Sequence, residues 1–223
     1  MAEAAAALVI FDCDGVLVDS EIVSARTLSA ALTEIGFPLS PADCIDRYTG
    51  ISSPSMVRLI EAEWGRPLPP DFLDDLRAVD AAAYRAELKP IPGARHVLET
   101  LDLARCVASS GRLVKMRLTL GLTGLLPLVE PNLFSAEMVA HGKPAPDLFL
   151  FAAKRMGVMP ADCVVVEDSL AGVQAGVAAG MRVFGFAGAS HSRPADAAAL
   201  RAAGASVVFD RMVELPALLA PAG

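Results

Sequence analysis

The sequence of 223 residues lacks the patterns that mark membrane and exported proteins. No apolar stretch approaches the ~18 residues that a membrane-spanning helix requires, so we predict a soluble protein with no membrane partner. Residues 1–7 carry an acid in place of the basic segment of a signal peptide and run directly into an apolar run. This start favours a cytoplasmic location.

Cysteine is also scarce, and its spacing is uninformative. Cys13, Cys44, Cys106 and Cys163 lie far apart and show neither Cys-x-x-Cys nor zinc-site spacing, so neither a disulfide framework nor a zinc site is predicted. Cys13 lies between two acids, but alternation along a strand would point it away from both. We therefore do not predict it as a nucleophile.

Basic residues are outnumbered, with 19 lysines and arginines against 26 acids and a net charge of −7. There is no basic run and no interleaving of basic with aromatic residues, so nucleic acid is not a predicted partner. If the substrate is anionic, a few positioned cations or a metal ion must meet its charge locally.

What the chain does contain is organised around residues 8–20, LVIFDCDGVLVDS. The apolar run predicts a buried parallel strand, and Asp12 and Asp14 follow it directly. In open α/β sheets, ligands bind at this carboxyl end of the strands. An ordinary turn capped by an aspartate would give the same local pattern, so the residues further along must decide.

Five further apolar runs alternate with helical patterns. The runs are 105–109, 132–135, 163–167, 182–186 and 206–209, and the helical stretches are 93–101, 112–120, 146–156, 169–179, 194–203 and 212–219. Such alternation predicts an α/β fold, a three-layer Rossmann-like parallel sheet core with helices on both faces.

The interval 18–89 departs from this alternation, because it contains helix-like segments at 21–35, 41–48, 53–64 and 71–88 but no convincing strand. Pro90, Pro92 and Gly93 disfavour helix and mark its end. We expect a catalytic core of residues 1–17 and 90–223 and an inserted all-helical cap domain of residues 18–89, with the two crossings acting as a hinge.

Two more strand ends carry candidate functional residues. Ser109, Ser110 and Gly111 precede a helix that begins near Arg112, and free N–H groups beside a hydroxyl form an anion site, although a serine before a helix is usually only its N-cap. Lys143 lies between Gly and Pro, which suits a fixed charge facing phosphate or carboxylate. A solvated surface lysine is the alternative.

The fourth run ends in Glu167 and Asp168. If the first and fourth strands are neighbours, four carboxylates converge at one edge of the sheet, and such a cluster needs compensation. An all-oxygen set of ligands is what Mg²⁺ prefers. The predicted metal residues are Asp12, Asp14, Glu167 and Asp168.

Taken in order, these patterns resemble the four motifs of the haloacid dehalogenase superfamily. They are Asp12-x-Asp14-Gly15-Val16-Leu17-x-Asp19-Ser20, then Ser109, then Lys143-Pro144, then Glu167-Asp168-Ser169-x-x-Gly172. The resemblance covers nearly the whole chain. The motif sequences are most similar to those of the small sugar-phosphate phosphatases of the beta-phosphoglucomutase-like group, which includes 6-phosphogluconate phosphatase. True haloacid dehalogenases lack the second acid, so Asp14 argues against dehalogenation.

The resemblance implies Mg²⁺-dependent hydrolysis of a small phosphorylated metabolite, a sugar phosphate or a phosphorylated sugar acid. Asp12 would be the nucleophile that forms an aspartyl phosphate, and Asp14 the general acid and base. Ser109 and Lys143 would hold the phosphoryl oxygens. The implied Mg²⁺ ligands are Asp12, the backbone carbonyl of Asp14, Asp168 and, directly or through water, Glu167.

By the same resemblance the helical insertion is a lid that excludes water and contacts the substrate. The candidate substrate-binding residues are Glu21, Ser24, Gly50, Ser110, Gly111 and Arg112. Arg112 would engage a distal acidic group of the substrate, although a surface position is the alternative. We expect a monomer or a small homo-oligomer.

Two other functions remain open. A phosphosugar mutase uses the same core, but the mutases that this chain resembles carry a histidine and a basic residue in the cap where this chain has Ser24 and Ser53. A receiver-like signalling module would be phosphorylated on Asp12 without turnover. Asp14 and the cap of roughly 70 residues both oppose that function.

Overall fold

The computed structural model describes residues 6–220, in which the strands form a single parallel sheet. The strands are β1 (Leu8–Phe11), β2 (Ala104–Ser109), β3 (Leu133–Ser135), β4 (Cys163–Glu167), β5 (Arg182–Phe186) and β6 (Val207–Phe209). Their order across the sheet is β3-β2-β1-β4-β5-β6. The predicted α/β class is confirmed, and β1 and β4 are neighbours as the site required.

Ten α-helices accompany these strands in the described part of the chain. They are α1 (Glu21–Glu34), α2 (Pro41–Tyr48), α3 (Ser53–Trp64), α4 (Phe72–Glu87), α5 (Ala94–Thr100), α6 (Leu113–Leu122), α7 (Asp147–Met156), α8 (Leu170–Ala178), α9 (Asp196–Ala202) and α10 (Leu215–Leu219). Within residues 6–220, none of them has the length and apolarity needed to cross a bilayer.

The central strand β1 is buried on both faces, which explains its unbroken apolar sequence. Val9 and Phe11 pack into one apolar cluster with α5, α6 and α10, whereas Leu8 and Ile10 pack into another with α7 and α8. Side-chain alternation along the strand therefore builds a helix layer on each face of the sheet.

Strand β1 is also where the sheet order reverses, since β2 and β3 lie on one side of it and β4 to β6 on the other. Phe11 is in register with Val107 of β2 and with Val166 of β4. The residues that follow these three positions are Asp12, Ala108 and Glu167, and they meet at the carboxyl edge of the sheet. A ligand site is expected at such a switch point.

Helices α1 to α4 share an apolar core of their own. Its buried members are Ala25, Leu28, Leu32, Cys44, Tyr48, Ile60, Phe72 and Leu76. The chain enters and leaves this helical unit side by side, because Val18 pairs with Pro90 and the Asp19 N–H donates to the Lys89 carbonyl over 2.9 Å. The division into core and cap domains at these crossings stays a prediction.

Candidate active site

Asp12, directly after β1, is 7% exposed and is the centre of the site. Its Oδ1 accepts a hydrogen bond from Lys143 Nζ over 2.6 Å. Burial raises the pKa of Asp12 well above its ordinary value, and the carboxylates of Glu167 and Asp168 raise it further, whereas the Lys143 ammonium opposes both. A cation beside Asp12 therefore favours the carboxylate that a nucleophile needs.

Lys143 uses its three N–H donors on three buried acceptors. They are Asp12 Oδ1, the Ala108 carbonyl at 3.0 Å and Glu167 Oε1 at 2.5 Å. Burial alone would lower the pKa of Lys143, but the carboxylates of Asp12 and Glu167 raise it above its ordinary value. The side chain is only 1% exposed, so the alternative of a solvated surface lysine is wrong.

Glu167 is held on both oxygens by protein donors. Oε1 accepts from Lys143, and Oε2 accepts from both the backbone N–H and the hydroxyl of Ser169, each over 2.9 Å. Ser169 is the N-cap of α8, where its hydroxyl accepts from the Gly172 N–H. Gly172 must lack a side chain, because a Cβ there would lie 1.8 Å from Glu167 Oε1.

Asp168 differs from Glu167, because its Oδ2 is buried without a hydrogen-bond partner. His191 Nε2 lies 3.4 Å from that oxygen, and His191 Nδ1 is likewise buried without a hydrogen bond. Gly15, at φ 77°, gives Asp168 its space, since a Cβ at this position would lie 1.8 Å from Oδ2. Burial raises the pKa of Asp168 above its ordinary value, and the neighbouring His191 opposes this shift only in part.

No group of three or more histidine, cysteine, aspartate or glutamate side chains within residues 6–220 is arranged to hold a metal ion. The residues nevertheless fit a small hard cation. Asp12, Glu167 and Asp168 are buried together around the Lys143 ammonium, and among the described residues Asp168 Oδ2 makes no hydrogen bond, with His191 Nε2 3.4 Å away. The carboxylates of Asp12 and Asp168 and the backbone carbonyl of Asp14 would suit Mg²⁺, which keeps several of its water ligands.

Asp14 is 12% exposed, and two donors hold one of its oxygens. Ser20 Oγ donates to Oδ1 over 2.5 Å, and Lys115 Nζ lies 3.0 Å from the same atom. Asp14 Oδ2 lies toward Gly111, where a Cβ would stand 3.4 Å from it. The acid therefore has one oxygen fixed by the protein and the other beside the end of β2.

The end of β2 forms the expected turn beside these acids. Ser109 is 1% exposed, and its hydroxyl accepts the Gly111 N–H over 3.0 Å. Cys13, which lies between the two acids in sequence, packs instead into the core with Sγ 4.0 Å from Thr119 Oγ1. Burial raises the pKa of the Cys13 thiol well above its ordinary value, which disfavours the reactive thiolate.

A cavity of about 490 Å³ lies between the edge of the sheet and helices α1 to α4. Its lining includes Asp12, Asp14, Ser109, Lys143, Glu167 and Asp168, together with all six candidate substrate residues, namely Glu21, Ser24, Gly50, Ser110, Gly111 and Arg112. The Arg112 guanidinium is about half exposed and pairs with Glu137 over 2.9 Å, so it is already partnered at the rim of the cavity.

Three further residues at this site were not predicted from the sequence, namely Lys115, Tyr84 and His191. A signal for Lys115 was present, because it lies in the first turn of α6, where the helix dipole disfavours a cation. Nothing local distinguishes His191 or Tyr84, since each reaches the site through the packing of distant elements.

The parallel sheet, the paired acids after β1 and the buried lysine agree with the result of the family comparison. The model of the haloacid dehalogenase-like hydrolases matches residues 6–180, and the chain belongs to that family.

Three individual proteins of this kind are similar to the chain along most of its length. The chain is 35% identical to 6-phosphogluconate phosphatase of Escherichia coli over 83% of this chain and 85% of that protein. A haloacid dehalogenase-like protein of Agrobacterium tumefaciens has a TM-score of 0.83 and 40% identity, covering 96% of this chain and 97% of the other. A family hydrolase of Deinococcus radiodurans, solved with phosphate and sodium, has a TM-score of 0.78 and 34% identity, covering 97% and 96%.

Proposed function

We propose that this protein is a Mg²⁺-dependent phosphatase that releases phosphate from a small phosphorylated sugar or sugar acid through an aspartyl phosphate. The observation that carries the proposal is the contact between Asp12 and Lys143 in the lining of the cavity, with Asp14 beside them. The phosphatase name of the Escherichia coli relative and the phosphate in the Deinococcus radiodurans structure support it.

Asp12 acts as the nucleophile. One of its oxygens attacks phosphorus, the bond to the sugar oxygen breaks, and the phosphoryl group becomes attached to Asp12. Lys143 favours the ionised form of Asp12 and keeps it oriented through a buried hydrogen bond. Ser109 and Lys143, which both line the cavity, hold the phosphoryl oxygens.

Asp14 moves the protons. It protonates the departing sugar oxygen in the first step and takes a proton from the attacking water in the second, so that alcohol and inorganic phosphate are released. Ser20 and Lys115 fix one oxygen of Asp14, which leaves the other to face the reacting groups.

The contacts favour Asp12, Asp168 and the Asp14 carbonyl as the groups that hold Mg²⁺. Glu167 already accepts hydrogen bonds from Lys143 and Ser169 on its two oxygens, so of the two predicted modes, direct or through water, contact with the ion through water fits better. When bound, the ion offsets the repulsion between the buried carboxylates and an anionic phosphate ester.

The helical unit serves as the lid. The Gly50 carbonyl accepts a hydrogen bond from Ser110 Oγ over 3.4 Å, and Gly50 packs so closely on Ser169 that a Cβ would lie 2.5 Å from the serine Cβ. These contacts hold the loop after α2 against the edge of the sheet, and further closure of the helical unit over a bound substrate excludes bulk water from the phosphoenzyme. A cytoplasmic location and the oligomeric state stay predictions.

The test is a panel of phosphorylated sugars, sugar acids and nucleotides assayed for phosphate release with Mg²⁺ and with chelator. We expect many turnovers with Mg²⁺, almost none in chelator, and poor restoration by Ca²⁺, whose larger coordination shell misplaces the phosphate.

Asp12→Asn should abolish turnover in a folded protein, and Asp14→Asn should slow or trap the phosphoenzyme, which mass spectrometry detects. Full activity in chelator, or a single slow equivalent of phosphate as in a receiver, would contradict the proposal.

A further inference from the structure

Lys115 is a second lysine in the cavity whose position no motif explains. It projects from the first turn of α6 and lines the cavity, with 32% of its side chain exposed, in contrast to 1% for Lys143. A lysine that is partly desolvated at the positive end of a helix is unfavourable for stability alone. The position of Lys115 therefore calls for an explanation by a partner residue or by a function.

On the side of the sheet, Lys115 is paired with Asp14, the proposed general acid and base. Nζ lies 3.0 Å from Asp14 Oδ1 and 5.7 Å from the ring centre of Tyr84 on α4. The ammonium thus stands between the reacting edge of the sheet and the wall formed by the cap helix. At this distance from a carboxylate, Nζ is an ammonium that can donate up to three hydrogen bonds.

The two lysines differ in how many of their donors are used. Lys143 directs its three N–H groups to Asp12, Ala108 and Glu167. Lys115 contacts one oxygen of Asp14, so its three-donor ammonium has donors left for a ligand in the cavity that it lines. Arg112, the other cation at this end of α6, is drawn to Glu137. Lys115 is therefore the better placed of the two to receive the substrate.

The position of Asp14 determines which substrate atoms Lys115 can meet. The acid must contact the leaving oxygen at hydrogen-bond distance, so the carbon that carries this oxygen lies next to Asp14. A cation on the same carboxylate is then within reach of a substituent on that carbon or the next. A hydroxyl or carboxylate oxygen there would accept a charge-assisted hydrogen bond, whereas an alkyl group would leave the ammonium unsatisfied.

Resting on the phosphatase function above, we propose that Lys115 is a specificity-determining residue that selects phosphate esters with an oxygen substituent, a hydroxyl or a carboxylate, next to the ester carbon. The selection arises because the ammonium is partly desolvated between Asp14 and Tyr84, so a bound substituent that accepts its hydrogen bonds is favoured over one that cannot.

Three small esters isolate this contact: ethyl phosphate, 2-hydroxyethyl phosphate and phosphoglycolate. They differ only in the group next to the ester carbon, and the last two separate a hydroxyl acceptor from a carboxylate acceptor. We expect the native protein with Mg²⁺ to prefer at least one of the oxygen-bearing esters by about tenfold or more in kcat/KM over ethyl phosphate. Lys115→Met should reduce that ratio to within about threefold, and Lys115→Arg should keep part of it.

The ratio of kcat/KM between an oxygen-bearing ester and ethyl phosphate is decisive. A change that acts only through Asp14 lowers the rates for all three esters together, so this ratio stays the same. Arg117→Met is the matched control, since Arg117 lies on the same helix but pairs with Glu130 outside the cavity, and it should keep the native ratio. An equal preference in Lys115→Met and in the native protein, or no preference in the native protein, would overturn the inference.

A binding measurement keeps the inference separate from the proposed function. In the Asp12→Asn background, calorimetric titration with the three esters should show the same preference, and adding Lys115→Met should remove it. If no ester releases phosphate, the phosphatase proposal fails while the binding preference still tests Lys115. If phosphate is released and the preference survives Lys115→Met in both measurements, the assignment of Lys115 fails alone.

Discussion

At the scale of single residues, the site places one ammonium between two buried carboxylates, and this arrangement is costly to disturb. Lys143→Met should destabilise the metal-free protein by about 3–5 kcal/mol, because Asp12 and Glu167 would lose the cation that compensates them. The measurement is urea denaturation in chelator. Lys154→Met, on the exposed face of α7, is the control and should change the free energy of unfolding by less than about 0.5 kcal/mol. Equal effects of the two substitutions would show that the buried pairing contributes nothing.

Glu21 gives the protein a stability that depends on pH. Burial, reinforced by the Asp14 carboxylate, raises the pKa of Glu21 to about 7, so the folded protein holds this proton more tightly than the unfolded chain does. Its contribution to stability is therefore fully present below about pH 4.5 and is lost as the pH rises through 7.

Glu21→Gln removes this titration while keeping the shape of the side chain. The free energy of unfolding of the native protein minus that of the variant should fall by about 1–3 kcal/mol between pH 4.5 and pH 8. Denaturant titrations of both proteins in chelator at several pH values measure it. A constant difference across this range would show that Glu21 is hydrated like an ordinary surface acid.

At the scale of elements, loops at the edge of the sheet connect the helical unit to the acids. The loop between β5 and α9 makes three such contacts in a row. Ser190 donates its N–H and hydroxyl to Asp19 at the crossing, His191 faces Asp168, and Arg193 pairs with Asp46 of α2 over 2.7 Å. The position of the helical unit is thereby tied to the position of a proposed metal ligand.

The loop after α2 provides a sharper test, because two glycines in the helical unit share a φ of 77°. A Cβ at Gly50 would lie 2.5 Å from the Ser169 Cβ, whereas a Cβ at Gly65 would meet nothing within 4 Å. Both Gly50→Ala and Gly65→Ala should cost about 1–2 kcal/mol of stability through backbone strain. Only Gly50→Ala should also displace the loop from α8, and we expect it to lower kcat/KM by at least about tenfold.

Gly65→Ala is the control for strain, so its kcat/KM should stay within about twofold of the native value under conditions where both variants are folded. Similar kinetic losses in the two variants would show that strain in the helical unit, not contact with Ser169, determines the rate.

At the scale of the whole molecule, most of the fold was predictable because each strand is an apolar run ended by a polar signal. The run before Asp12 predicted β1, and the run at 163–167 coincides with β4. Alternation of strands and helices then left few possible topologies, and the adjacency of β1 and β4 brought Asp12 and Glu167 together.

What the sequence could not predict depends on contacts between distant segments. Lys115 meets Asp14 across 101 positions of sequence, and the direction of Arg112 is determined by Glu137, which belongs to a short turn after β3. The orientation of a long side chain follows from the acids that surround it in the folded protein. Motif spacing alone carries no such information.

The cap also bears on whether water or a sugar receives the phosphoryl group. In the mutases that this chain resembles, a histidine one turn along the first cap helix and a basic residue in the next cap loop serve the returning sugar. Here Ser24 takes the place of the histidine, and its hydroxyl lies 2.5 Å from the Tyr84 hydroxyl, while Ser53 begins α3 in place of the basic residue. Neither a serine nor a paired phenol, whose pKa burial raises to about 12, can replace an imidazole near neutral pH.

We therefore expect net hydrolysis with little transfer of phosphate between positions of one sugar. The experiment supplies beta-glucose 1-phosphate with a catalytic amount of glucose 1,6-bisphosphate and follows inorganic phosphate and glucose 6-phosphate together. Phosphate should accumulate at least about tenfold faster than glucose 6-phosphate, because a cap without the imidazole and the cation cannot order the bisphosphate for reattachment. Ser24→His with Ser53→Lys is the matched variant, and it should shift the ratio toward glucose 6-phosphate. Rapid formation of glucose 6-phosphate by the native protein without release of phosphate would make it a mutase.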